Sequence, residues 1–157
     1  MHQGSLETPI GRIMVEVNDA GALLSVSFAE DDFEPESPEG DAAAEAVRQL
    51  SEYFSNQRTV FDLELAPKGS DFEHSVWNRL VLIPFGSTTS YGEIADHLGD
   101  PGASRAVGLA NARNPVAVVI PCHRVIGANG DLTGYAGGLW RKKWLLAHES
   151  GQRDLGF

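Results

Sequence analysis

The chain has one cysteine in 157 residues, and that scarcity excludes a good deal. A single thiol cannot close an internal disulfide, and a reducing, cytoplasmic setting suits it. It also rules out a cysteine-rich zinc site. No cluster of other ligands replaces it, so no metal is expected. Long apolar runs are missing too. None approaches the roughly 20 residues of a membrane-spanning helix, so no membrane partner is expected. The opening MHQGSLETPIGR has no basic segment followed by an apolar one, so no signal peptide is expected.

Basic charge is also in short supply. Twelve Lys and Arg stand against 22 Asp and Glu, a net charge of −10, and an acidic surface repels nucleic acid. The distribution alters that reading. Residues 1–70 hold 14 acidic and 4 basic side chains, whereas residues 71–157 hold 8 of each. In the second half Arg105, Arg113, Arg124, Arg141, Lys142 and Lys143 can form a local basic face. Charge therefore neither supports nor excludes a DNA partner.

What is present reads as α/β, of the α+β kind: a small N-terminal sheet-plus-helix domain over 1–69, then a mostly helical domain over 70–157. Ile13, Val15 and Val17 alternate with Met14 and Glu16. The turn NDAG follows, and Leu24, Val26 and Phe28 alternate again, which predicts a hairpin. Residues 30–41 are acidic and broken by prolines, a solvated surface loop. Asp41 can cap a helix whose Ala43, Val47, Leu50 and Phe54 share a face. TVFDLEL reads as a further strand with Phe61, Leu63 and Leu65 inward. APKGS marks the boundary.

Helix caps organise the second domain. Ser70 and Glu73 have capping-box spacing and open a helix carrying Phe72, Val76, Trp77, Leu80 and Ile83, which Pro84 and Gly86 end. Ser90 and Glu93 repeat the device, and Gly99 stops that helix. After the turn DPG comes ASRAVGLANA, a helix of small residues. Two short helices about a tight turn fit either a helix-turn-helix or an ordinary helical hairpin. Gly108 inside a helix costs about 1 kcal/mol relative to alanine, so close packing or close approach of a flat partner is its reason. Arg105 stands out of this bare surface. Val116–Ile120 reads as a buried strand that Pro121 ends. GANGDLTGYAGG is a loop suited to a pocket wall. A last helix sets Trp140, Trp144 and Ala147 on one stripe.

Cys122 and His123 are neighbours in VVIPCHRVI. A lone buried cysteine is most often a small hydrophobe. Neighbours on an extended chain face apart, so direct thiol–imidazole contact is disfavoured, and the pair works only if a water bridges it. His123 then needs a third group to hold its tautomer, for which Glu149 is a candidate.

The ordered set SYGEIA, SRAVG, NP, IPCHRV and GYAGGLWRKKWLLAHE resembles the O6-alkylguanine-DNA alkyltransferases, strongly over residues 70–150 and in layout over 1–69, including TPIGR. The resemblance implies transfer of an alkyl group from O6-alkylguanine, flipped out of double-stranded DNA, to the protein's own cysteine, once per molecule. It implies no cofactor. A monomer is expected, with cooperative binding on DNA left open. It assigns Cys122 as acceptor, His123 as base through a water, Glu149 as its orienting carboxylate, Asn114 as a hinge and Tyr91 as donor to the leaving guanine. Arg105 becomes the finger that fills the gap in the duplex. Ala103, Ser104, Ala106, Gly108 and Arg113 belong to or flank a helix-turn-helix recognition helix lying in the minor groove. Tyr91, Val125, Tyr135 and Ala136 form the guanine pocket. A lesion-binding module without chemistry and a Cys–His–Glu hydrolase are the competing readings.

Overall fold

The computed structural model describes residues 2–29, 41–132, 134, 135 and 137–151. They divide into two compact units, Met1–Lys68 with Pro115–Val119, and Gly69–Asn114 with Ile120–Phe157. The acidic stretch 30–40 lies outside the described residues, as does Ala136.

In the first unit the expected hairpin is part of a three-stranded antiparallel sheet, β1 (His2–Thr8), β2 (Gly11–Val17) and β3 (Leu23–Phe28), with β2 central. Ile13, Val15 and Val17 are fully buried. β1 is polar and carries no alternation, which hid it from the sequence reading. It runs close to α1 (Asp41–Phe54): a methyl on Gly4 would meet Val47 at 2.9 Å and Ala43 at 3.2 Å. The inward residues of β3 are Leu23 and Val26, not Leu24. A register shift between Glu16 and Val17 pairs Val17 with Leu23, and a one-residue shift exchanges the faces of a strand. α1 begins at Asp41 itself and buries Ala43, Ala46, Leu50, Tyr53 and Phe54, with Val47 half-buried.

TVFDLEL is not a strand. Only Leu65 makes a bridge, to Leu23. The Gln49 side chain takes the place of a ladder: its Nε2 donates to the Asp62 carbonyl at 3.0 Å and its Oε1 accepts from the Asp62 N–H at 2.8 Å. Val116–Ile120 is not a strand either. Val116 alone bridges to Val26. Pro115 and Pro121 lack N–H donors at either end. The Ala117 carbonyl accepts from Val119 N–H at 2.8 Å across Val118, whose φ is 71°. That is a γ-turn of the strained, positive-φ kind. For a β-branched residue it is an outlier, at a cost of about 1–3 kcal/mol. Full burial of Val118 holds it in place.

In the second unit α2 (Asp71–Leu80) opens with the complete capping box of Ser70 and Glu73. It buries Val76, Trp77 and Leu80, while Phe72 is partly exposed. It ends before Ile83, because the residue ahead of Pro84 avoids helical backbone; Leu82 and Ile83 close the turn with three-residue hydrogen bonds. β4 (Thr89–Ser90) leads into α3 (Tyr91–His97), capped by Ser90. Here Glu93 reaches the Thr89 hydroxyl at 2.8 Å. Gly99, at φ 78°, lets the chain turn. A 3-10 turn at Pro101–Ala103 feeds α4 (Ser104–Ala112), which packs on α3 and α2. β5 (Val125–Ile126) pairs parallel with β4, and α5 (Leu139–Ser150) closes the unit. The face α5 buries is Lys142, Leu145, His148 and Glu149. The stripe of Trp140, Trp144 and Ala147 instead lines an open apolar groove of about 740 Å³ with Ile126, Leu132 and Leu146. Residues spaced by three and four fix a shared face but not which of two faces turns inward.

Candidate active site

Ile120, Pro121 and Cys122 form a tight bend. Pro121 has φ −81° and ψ 64°, and Cys122 N–H donates to the Ile120 carbonyl at 2.8 Å. These are the features of an inverse γ-turn. Cys122, His123 and Arg124 then make one 3-10 turn, all three buried. Turn geometry, not the end of a strand, presents the thiol. Two carboxamides, one on the last turn of α4 and one two residues beyond it, grip this bend. Asn114 Nδ2 donates to the Ile120 carbonyl at 2.8 Å, and Asn111 Nδ2 donates to the Cys122 carbonyl at 3.4 Å.

His123 is fully buried. Its Nε2 lies 2.7 Å from Glu149 Oε2, on the last turn of α5. A carboxylate only accepts, so Nε2 carries the proton and Nδ1 is the free base position. Nδ1 is buried and has no hydrogen-bond partner among the described residues. Arg124 forks onto the same carboxylate, Nε to Oε1 at 2.7 Å and Nη2 to Oε2 at 2.9 Å, while its Nη1 donates to the Ile83 carbonyl at 2.6 Å. Burial pushes the Glu149 carboxyl up, but hydrogen bonds and charge from His123 and Arg124 outweigh it and hold it below the usual carboxylate range. For His123, burial lowers the imidazole below 6.5 and prevails over the Glu149 contact. The ring is therefore neutral at neutral pH and able to take a proton.

The Cys122 thiol is pushed up from its ordinary 9.0 by burial, against the opposing pull of Asn114 and the Lys142 charge. It rests as a thiol, so a base must remove the proton as it reacts. Lys142 is fully buried, and its Nζ donates to the Val125 carbonyl at 2.7 Å. Tyr135 buries its hydroxyl, and burial raises that phenol well above 10. Val125 is buried on β5.

α4 presents a different surface. Arg105, Ala106, Leu109, Ala112 and Arg113 are exposed, and Ala103, Ser104 and Gly108 are half-buried. A methyl on Gly108 would lie 3.8 Å from the Tyr91 ring, so this glycine seats Tyr91 against α4. Arg113 approaches Glu73 at 3.9 Å. No acidic residue occurs from 101 to 130. The expected basic face is smaller than the sequence suggested: Arg124 and Lys142 are buried, because each has internal oxygen partners. Sequence reasoning did not find their inner roles, nor that of Asn111. The spacing of Lys142, Leu145 and Glu149 at three and four residues was the available signal for Lys142.

The family pattern described as 6-O-methylguanine DNA methyltransferase, DNA binding domain, matches residues 71–151, and that described as 6-O-methylguanine DNA methyltransferase, ribonuclease-like domain, matches residues 1–67. A methylated-DNA–protein-cysteine methyltransferase of Mycobacterium tuberculosis is 47% identical over 153 residues, covering 95% of this chain and 92% of its own. One from Methanosarcina acetivorans is 49% identical over 154 residues, covering 95% and 98%. The crystal structure of Mycobacterium tuberculosis OGT in complex with DNA superposes with a TM-score of 0.88 at 46% identity, covering 97% of this chain and 94% of that one.

Proposed function

The chain belongs to the 6-O-methylguanine DNA methyltransferase family, and from that premise we propose that Cys122 accepts the alkyl group from O6-alkylguanine in duplex DNA. The activity is that of a methylated-DNA–protein-cysteine methyltransferase, a DNA repair activity. One observation carries the assignment. The chain has a single cysteine, and it sits beside a buried imidazole whose Nε2 is locked on Glu149 and whose Nδ1 is open.

The step follows from the groups present. Cys122 Sγ attacks the alkyl carbon in line with the bond to O6. The S–C bond forms and the C–O6 bond breaks. The thiol proton passes through a water to His123 Nδ1. Glu149 steadies the imidazolium that results, and Arg124 fixes Glu149. The electron pair of the broken bond stays on guanine, which takes a proton from the Tyr91 hydroxyl, lowering the cost of the developing negative charge. The product thioether has no group nearby to reverse it, so each molecule acts once. Reaching O6 requires extrusion of the nucleotide, at a few kcal/mol. Arg105 enters the stack in its place, and the small residues of α4 bring the helix close to the groove walls. Val125 and Tyr135 enclose the base. The protein acts as a monomer in the cytoplasm.

Incubation with a duplex carrying O6-methylguanine, followed by intact mass and peptide mapping, tests this. A permanent gain of one methyl on Cys122 is expected, whereas a lesion-binding module shows none and a hydrolase turns over an ester without modification. Arg105→Ala should cut the rate on duplex by roughly tenfold or more, consistent with a few kcal/mol of flipping energy, while leaving transfer from the free alkylated base nearly unchanged. Equal losses on both substrates remove the finger assignment. The transfer rate should also be level above pH 6.5. It should fall as pH drops through the lowered pKa of His123, because the protonated ring cannot accept. A rate that climbs steadily from pH 6 to 9 shows direct attack by a pre-ionised thiol instead.

A further inference from the structure

We propose that Asn111 is a positioning residue for the transfer, its Oδ1 and the Nδ1 of His123 together holding the water that takes the proton from Cys122. This rests on the reading of His123 as the base. Asn111 is 5% exposed, on the buried face of α4 with Val107 and Ala110. A polar side chain on that otherwise apolar face needs partners. Its Nδ2 points at the Cys122 carbonyl, an acceptor, so the amide orientation is fixed and Oδ1 is the remaining oxygen. Oδ1 is buried without a hydrogen-bond partner among the described residues, and so is His123 Nδ1, one residue past the carbonyl that Asn111 grips. Leaving either acceptor unmet costs about 1–3 kcal/mol.

The three groups have complementary roles. Oδ1 can only accept. Nδ1 can only accept, since the ring proton faces Glu149. The thiol donates. A buried water makes about three hydrogen bonds, and it has two protons for the two acceptors and a lone pair for the thiol. With both protons committed, this water cannot turn a proton toward sulfur, so it is held in the orientation that receives one. Asn111 thereby attaches the relay to α4, the helix that carries Arg105. Trp77 Nε1 fixes the same turn by donating to the Ala110 carbonyl at 2.9 Å.

The charged and titratable groups around the thiol come from elsewhere: His123 and Arg124 on its own turn, Lys142 and Glu149 on α5, and Tyr135 on the preceding loop. α2 buries only Val76, Trp77 and Leu80. Replacing the neutral amide leaves that charge set intact, so a change in pH profile reports water orientation.

The test is transfer from O6-benzylguanine as the free base, followed by intact mass from pH 5.5 to 9, for wild type, Asn111→Leu and His123→Ala. Asn111→Leu is close in volume and should stay folded with wild-type duplex affinity, its melting temperature lowered by a few degrees through loss of the bond to the Cys122 carbonyl. Its rate at pH 7 should fall by roughly tenfold, part of what general-base catalysis supplies. The plateau above pH 6.5 should give way to a rate that rises toward the thiol's own ionisation. A crystal structure of the wild type should place one water within about 3 Å of Asn111 Oδ1, His123 Nδ1 and Cys122 Sγ. An unchanged rate and profile in folded Asn111→Leu overturns the proposal, as does a water that touches His123 but not Asn111. If His123→Ala alters the profile and Asn111→Leu does not, the relay stands without Asn111. If neither does, the reading of His123 itself fails.

Discussion

Cys122→Ser is expected to bind alkylated duplex as the wild type does and to gain no alkyl group at any time. The substitution changes one atom in a side chain that is 6% exposed. A hydroxyl is smaller than a thiol and can still accept from Asn114, so the bend at Pro121 survives. What is lost is the nucleophile. The thiol already has its proton held by burial, and a hydroxyl holds it far more tightly while offering a harder, less polarisable atom to the alkyl carbon. His123, a neutral base kept weak by burial, has no means of ionising it in the transition state. Titration with a methylated duplex should give wild-type affinity, and mass spectrometry should give an unmodified chain. Transfer to another residue in the variant would remove Cys122 from the mechanism. Lost binding would show that sulfur serves recognition as well.

Glu149→Ala should severely destabilise the second unit. Three hydrogen bonds end on this carboxylate. Its removal takes the carboxylate away from the buried Arg124 guanidinium, leaving it the Ile83 carbonyl and the Phe85 ring, and frees the His123 ring. Stranding one partner of a buried ion pair costs about 3–5 kcal/mol, a fall in melting temperature of roughly 10 °C for a chain of this size. Glu149→Gln keeps the shape and can still accept from His123, so it should lose less stability while slowing transfer, because a neutral amide does not stabilise the imidazolium. The pH dependence separates the two contributions. Glu149 titrates lower in the folded state than its ordinary 4.5, so its stabilisation is complete above that value and is lost on acidification below it. His123 also titrates low, so its folded-state preference for the neutral form begins to cost stability below pH 6.5. Both signs point the same way. Stability to urea should therefore fall steadily from pH 7 to 3 in the wild type, and the Glu149 share of the loss below 4.5 should be missing in Glu149→Gln while the His123 share remains.

The chain's helices were legible because their signals are local. The Ser70–Glu73 box lies within four residues, and Gly99 stops α3 where expected. Cys122, His123 and Glu149 were placed by resemblance, and two of the three meet at 2.7 Å across 26 residues. Failures came where one long-range contact overrode local preference. TVFDLEL alternates like a strand, yet a glutamine on α1 occupies the position of its partner. Val116–Ile120 has the composition of a strand, but two prolines and the positive φ of Val118 make it a run of turns. Arg124 and Lys142 read as surface charge because composition cannot show a buried carboxylate or carbonyl waiting for them. Asn111 was passed over because nothing about an asparagine among alanines announces which atom it will meet.

The grouping of Pro115–Val119 with the first unit has a practical consequence. Val26 donates to the Pro115 carbonyl at 2.9 Å and accepts from Ala117 N–H at 3.0 Å, so the edge of β3 is completed by residues that lie far along the chain. The two halves are interleaved rather than strung end to end. A fragment cut after Lys68 would expose that edge as a sticky template for aggregation, and the remaining fragment would carry five orphaned residues just ahead of the nucleophile. Swapping N-terminal halves between relatives, as one exchanges cassettes, should yield soluble hybrids only when the short insert between Asn114 and Ile120 travels with its matching sheet.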